Sequence, residues 1–194
     1  FSKVIEDRVR MGERVLVLAH RSELLDQASD KLFKSTGLQT SLEKASSTSI
    51  GSWNRVVVGS VQTLQQPKRL AKFEKDHFDS IVVDEAHHCI SDGYQRVLSH
   101  FDSANVLGVT ATPDRGDMRN LGTYFDSLAY EYTLPQAIKE GYLSPIKALT
   151  IPLNLDLSSV SMSQGDFKAS DVGNALDPYL EQIANEMMEH CKDK

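Results

Sequence analysis

The chain has 194 residues, enough for one domain with a real core and too few for two. Its 40% hydrophobic and 25% charged residues are typical of soluble globular proteins, and no apolar run approaches the ~20 residues of a membrane span. The net charge of -6 argues against indiscriminate polyanion binding, but it is unevenly spread. Eighteen basic against nineteen acidic residues leave residues 1–150 at -1, while three against eight put the remainder at -5. A nearly neutral body can still carry a local phosphate-binding track, because a few placed donors suffice and distant acids are screened beyond ~10 Å.

The two cysteines, Cys89 and Cys191, form no CxxC pair and suit a reducing interior, so a cytoplasmic protein is expected. Phe1 stands where a gene product would carry methionine, and no basic-then-apolar leader follows; an internal cut is therefore expected.

Phe1, Val4, Ile5 and Val9 recur at helical spacing, and Gly12 stops that helix where a C-cap glycine belongs. A buried strand follows over residues 14–19. Ser22 opens a second helix with Leu24, Leu25, Ala28, Leu32 and Phe33 on one face, and Gly37 closes it. A short strand is expected over residues 40–42, then a Ser/Thr-rich mobile loop over 45–54 that carries the only tryptophan, Trp53. Further strands read at 55–59, 80–84 and 106–110, each a short apolar or β-branched run ending in polar residues. Past Thr112 the pattern predicts a strand near 128–132, a helix over 135–140 and a strand over 146–151. Residues 154–165 are Ser-rich and aperiodic, whereas Leu176, Leu180, Ile183, Ala184, Met187 and Met188 make an amphipathic connecting helix. Alternating strands and helices predict an α/β domain with a mostly parallel sheet over residues 1–151, followed by a linker and connecting helix over 152–194.

Ligands of open parallel sheets gather beyond the carboxyl ends of the strands, and the unusual residues of this sequence lie there. Ser80-Ile81-Val82-Val83 runs into Asp84-Glu85-Ala86-His87, a buried strand that delivers two adjacent carboxylates. Magnesium bound to nucleotide phosphates wants a hard oxygen ligand, which suits Asp84, and a neighbouring carboxylate can orient and deprotonate a water, which suits Glu85. Alone, such a pair is more often a solvated acidic turn. Val106-Leu107-Gly108-Val109 leads into a second polar strand end, Thr110-Ala111-Thr112-Pro113, whose small hydroxyls can bond neighbours without filling a cleft.

In this order the two segments resemble motifs II and III of DEAH-type superfamily 2 helicases. Ala19-His20-Arg21-Ser22-Glu23-Leu24 resembles motif Ia of the same family, and Gly59-Ser60-Val61-Gln62-Thr63-Leu64 resembles motif Ib. The resemblance covers residues 1–151 and implies a RecA-like three-layer α/β/α motor domain that uses ATP and magnesium. It implies catalytic roles for Asp84, Glu85 and His87, with Asp84 on the metal. His87 would bond across to Thr110 or Thr112, the pair that couples nucleotide state to strand movement. Arg21, Ser60, Gln62 and Thr63 would contact the sugar-phosphate backbone. Pro113-Asp114-Arg115 continues in the family manner, with Arg115 read as a surface or inter-domain contact. The end of residues 134–145, Gly141-Tyr142-Leu143-Ser144-Pro145, looks like restriction-type and repair-type members, which tilts the substrate toward DNA.

No Gly-x-x-x-x-Gly-Lys-Ser/Thr occurs in the 194 residues. The family places that phosphate loop just before the first helix and a second RecA-like domain beyond residue 194, so this chain alone is expected to be catalytically silent. The absent loop strand would flank the strand ending at Thr110. An open edge there predicts self-association, or collapse of the 146–151 strand into the gap. Two other readings stay open: an RNA helicase of the same class, or a non-catalytic α/β interaction module.

Overall fold

The computed structural model describes the chain except at residues 21, 112–120, 123, 147, 149–157, 159, 164–165 and 191–194. Two compact units divide it, Phe1–Glu131 and Tyr132–Lys194.

The first unit runs α1 (Ser2–Arg10), β1 (Val15–Ala19), α2 (Ser22–Thr36), β2 (Thr40–Glu43), β3 (Val56–Ser60), α3 (Val61–Leu64), α4 (Pro67–Leu70) and β4 (Ser80–Asp84). A 3-10 turn (Ala86–Ile90), α5 (Asp92–His100) and β5 (Asn105–Val109) complete it. The strands pair in parallel in the order β2-β3-β1-β4-β5. Sheets of this kind are covered on both faces, which is why the central strands are apolar at successive positions. On β1, Leu16 and Leu18 enter one core with Val61, Leu64, Tyr94 and Phe101. Val15, Val17 and Ala19 enter the opposite core with Ile5, Leu25 and Leu32 from α1 and α2. The two-residue period of the strand therefore feeds two helical layers, and each buried aliphatic side chain contributes roughly 1.5–3 kcal/mol. This is the expected three-layer α/β/α architecture.

Helix α1 ends where predicted, because Gly12 turns the chain at φ +92°, a left-handed conformation that side chains with a Cβ resist. The 45–54 segment is turns and one isolated bridge, Ser47 to Lys44, yet it is pinned. Glu43 is fully buried beneath it and accepts hydrogen bonds from the backbone and hydroxyl of Ser49 at 2.6 and 2.9 Å. Arg69 pairs with the same carboxylate at 2.7 Å and donates to the carbonyls of Ala45 and Ser47. A buried charge with its partner and several donors in place ties the loop to α4.

The second unit contains α6 (Leu134–Lys139), a two-residue hairpin of β6 (Met162–Ser163) and β7 (Asp166–Phe167), then α7 (Ala169–Leu176), a 3-10 turn (Asp177–Tyr179) and α8 (Leu180–His190). Thr133 caps α6, its hydroxyl accepting from the Gln136 N–H at 3.3 Å. The connecting helix is thus broken in two, with Pro178 in the turn that separates the halves.

Residues 128–132 form no strand: Leu128 and Tyr130 are both 76% exposed, so their apolar and aromatic side chains find no buried sheet face to favour an extended ladder. The 146–151 strand falls largely on residues 147 and 149–151, outside the described residues. Among the described residues β5 pairs with β4 alone and stands at the sheet edge. None of the described helices is long and apolar enough to cross a membrane.

Candidate functional site

Parallel register brings the carboxyl ends of the strands to one side of the sheet. Ala19 lies opposite Ser60, Leu18 opposite Val83, and Asp84 opposite Val109. The four strand ends singled out in the sequence therefore form one continuous rim.

On this rim Asp84 ends β4, half-buried, with its Oδ1 accepting the Glu85 N–H at 3.0 Å. Glu85 adopts φ 52° and ψ 54°, the left-handed region. That conformation costs a non-glycine residue on the order of 1–3 kcal/mol and persists where surrounding structure enforces it, often at functional sites. Here it turns the chain sharply from strand into 3-10 turn and leaves the Glu85 side chain 45% exposed. Two carboxylates with oxygen-only donors, one half-buried and one open, suit a hard divalent cation and a water beside it. They can supply the metal and water contacts of a nucleotide site, but not the phosphate cradle, whose sequence pattern the chain lacks.

His87 is held by the same turn, its side chain 14% exposed. Its Nδ1 lies 3.1 Å from Thr110 Oγ1 and 3.4 Å from Glu85 Oε2. One imidazole nitrogen thus sits between the Glu85 carboxylate just past β4 and the hydroxyl just past β5. Gly108 permits the approach: a Cβ there would meet Phe125 at 2.5 Å and the Ala86 Cβ at 2.9 Å. Beneath the turn, burial pushes the Cys89 thiol up to about 12, and burial followed by the charges of Cys89, Asp84 and Glu85 raises the Tyr94 phenol. Both are inert filling at neutral pH.

The motif Ib residues occupy the neighbouring strand end. Ser60 is buried at the start of α3 and donates to Gln62 Oε1 at 3.0 Å, with Gln62 itself exposed. Thr63 faces inward at 9% exposure, and its hydroxyl accepts the Ala45 N–H at 3.0 Å. Arg21, Thr112 and Arg115 lie outside the described residues.

One feature of the rim had no sequence signal. The His20 ring, at the end of β1, stacks on His88 with centroids 4.9 Å apart, and His88 lies 4.2 Å from His87. A run of imidazoles therefore links the motif Ia end to the acidic turn. Adjacent histidines in the sequence hint at such a contact only once β1 and β4 are known to be neighbours.

Residues 2–115 match the family model described as the type III restriction enzyme res subunit, ResIII. The chain belongs to this family. ResIII is an N-terminal domain of superfamily 2 helicases, in agreement with the RecA-like sheet. This ResIII chain is 30% identical to the putative ATP-dependent helicase IRC3 of Saccharomyces cerevisiae over 168 residues, 83% of this chain and 24% of the relative. It is 30% identical to the type I restriction enzyme EcoAI endonuclease subunit of Escherichia coli over 160 residues, 79% of this chain and 20% of that one. It thus spans about a quarter or less of these relatives. The crystal structure of the Pyrococcus furiosus Hef helicase domain superposes with a TM-score of 0.55 at 18% identity, over 94% of this chain and 45% of that one. The likeness to Hef is one of fold. The relatives it matches are named as a putative ATP-dependent helicase and a restriction endonuclease subunit.

Proposed function

We propose that the chain forms part of the first motor domain of an ATP-driven DNA translocase or helicase. The observation that carries this reading is the single rim on which Asp84, Glu85, His87 and Thr110 meet, with His87 bridging two strand ends. Asp84 would hold the magnesium of bound ATP, which supplies charge neutralisation to the phosphates. Glu85 would position the attacking water and take its proton; its exposed carboxylate has the access this requires. His87 reads that carboxylate and passes its position to Thr110, and to Thr112 one residue beyond Ala111.

The nucleic-acid track runs over Arg21, Ser60, Gln62 and Thr63. Gln62 is the exposed contact, and Thr63 supports the track from below by holding Ala45. DNA is favoured over RNA because one relative is a restriction endonuclease subunit. A second RecA-like domain of the same polypeptide would close over the rim and supply the remaining charge stabilisation. Without it and a phosphate loop the 194 residues alone would not turn over ATP, and the edge at β5 would favour self-association. We place the protein in the cytoplasm, in keeping with its cysteine usage.

The test is Glu85→Gln in the full-length protein. DNA-stimulated ATP hydrolysis should fall by at least ~100-fold, the loss typical of removing a general base; an unchanged rate would move water activation elsewhere. Competition between DNA and RNA across a salt titration separates the two substrates.

A further inference from the structure

The opposite end of the sheet carries a second feature that the rim does not use. Strands β1, β3 and β4 begin directly after Arg14, Arg55 and Asp79, and register sets Val15 beside both Val56 and Ser80. Two arginines therefore stand side by side at the amino ends of neighbouring strands. They lie five residues, or roughly 16 Å, from the carboxyl-end rim.

Neither guanidinium is in an ion pair with a carboxylate among the described residues. Asp79, just before β4, is taken by backbone: its Oδ2 accepts the Arg14 N–H at 2.8 Å. The Arg14 guanidinium instead lies 3.4 Å from His77 Nδ1, and Arg55 donates to the Gly12 carbonyl. Each keeps further N–H donors, in the planar fork that matches phosphate oxygens.

Between and beside them opens a cavity of 230 Å³, lined among others by Arg14, Ser49, Trp53, Arg55, His77 and Phe78. Trp53 is 99% exposed. Tryptophan is well buried on average, so a ring wholly in water beside a cleft with two guanidinium groups does not serve packing and is open to a ligand. The turn that displays it is fixed from both sides. The Ser52 hydroxyl meets the Ser41 hydroxyl at 2.5 Å and accepts the Asn54 N–H at 3.1 Å, while the Asn54 amide donates to Ser41 at 2.9 Å. A turn that is already ordered adds little entropy cost when the ring it carries binds.

Guanidinium forks with an exposed ring answer to a ligand that alternates phosphate and planar base. The volume lies below the roughly 300–1,000 Å³ of drug-sized pockets, which suits one nucleotide at a time. We propose that this cleft is a second nucleic-acid site that engages one nucleotide of a single strand, its phosphate against Arg14 and Arg55 and its base on Trp53. The site is independent of the rim and of ATP. It takes a strand passing the amino-end face of the sheet.

Trp53 is the only tryptophan, so its fluorescence reports on the site directly. Titration of the chain with a twelve-residue oligothymidylate at low salt should quench it saturably. Arg14→Glu with Arg55→Glu should weaken the apparent affinity by at least ~10-fold and flatten its salt dependence. Trp53→Ala, at a position too exposed to affect folding, should lower the affinity of a labelled oligonucleotide by about 5-fold or more, as loss of one stacked base implies. Absent quenching, quenching indifferent to both arginines, or unaltered affinity in Trp53→Ala would each overturn the proposal. So would an equal response to thymidine monophosphate, which marks a free-nucleotide pocket. Heparin, a polyanion without aromatic bases, should leave the Trp53 signal unquenched; quenching by it would show an anion site that does not read bases.

Discussion

His87 and Thr110 meet at 3.1 Å although they are 23 positions apart in sequence, because β4 and β5 are parallel neighbours with Asp84 paired to Val109. The same imidazole nitrogen lies 3.4 Å from Glu85. The proposed coupling would carry a displacement of the Glu85 carboxylate to the end of the next strand.

That geometry predicts a coupling defect rather than a folding defect. In the full-length protein, His87→Ala and Thr110→Val should each cost no more than about 1.5 kcal/mol of stability, the net worth of one hydrogen bond. DNA stimulation of ATP hydrolysis should nevertheless drop about 10-fold or more. A double-mutant cycle on the stimulation should give a coupling of about 0.5–3 kcal/mol. Strictly additive effects would mean that the two side chains do not act through each other.

Gly108 should tolerate no side chain. Its added Cβ would fall 2.5 Å from Phe125 and 2.9 Å from Ala86, so Gly108→Ala should cost about 1–3 kcal/mol in urea denaturation through overpacking. Since Phe125 supplies the nearest atom, Phe125→Leu should restore part of the loss. Full stability of the single Gly108→Ala variant would show that β5 and the acidic turn are not in this contact.

Glu43 and Arg69 should behave as a buried pair. Glu43 is fully buried, the Arg69 side chain is 14% exposed, and they meet at 2.7 Å. Glu43→Ala should destabilise by about 3–5 kcal/mol, since it strands the cation and removes the acceptor for Ser49. Glu43→Gln, which keeps the acceptor, should cost less. Thermal denaturation of the two variants distinguishes a lost charge from a lost hydrogen bond.

Cys89 should resist thiol reagents. Burial raises its pKa to about 12, so at pH 8 the reactive thiolate is a minute fraction and the sulfur is enclosed as well. Peptide mapping after labelling should show Cys89 modified only as denaturant unfolds the domain. Rapid modification in native buffer would contradict the packing beneath the acidic turn.

The order of strands and helices in the first unit was legible because a strand buried on both faces can only be a short run such as Val15–Ala19 or Ser80–Asp84. Helix ends were legible where a local rule decides them, as at Gly12. The same logic misled at residues 128–132, where aromatic and aliphatic composition suggested a strand and the chain forms none there.

Local composition and spacing thus determined the elements of the first unit and the chemistry at their ends, since the backbone and side-chain preferences that set them act within a few residues. Tertiary structure alone decided which ends become neighbours. Parallel register puts His87 on Thr110, His20 on His88 and Arg14 beside Arg55, each across a gap that spacing cannot predict. The reason is physical: the sequence specifies each strand's apolar faces, whereas the pairing order β2-β3-β1-β4-β5 follows from packing helices on both faces of a shared sheet.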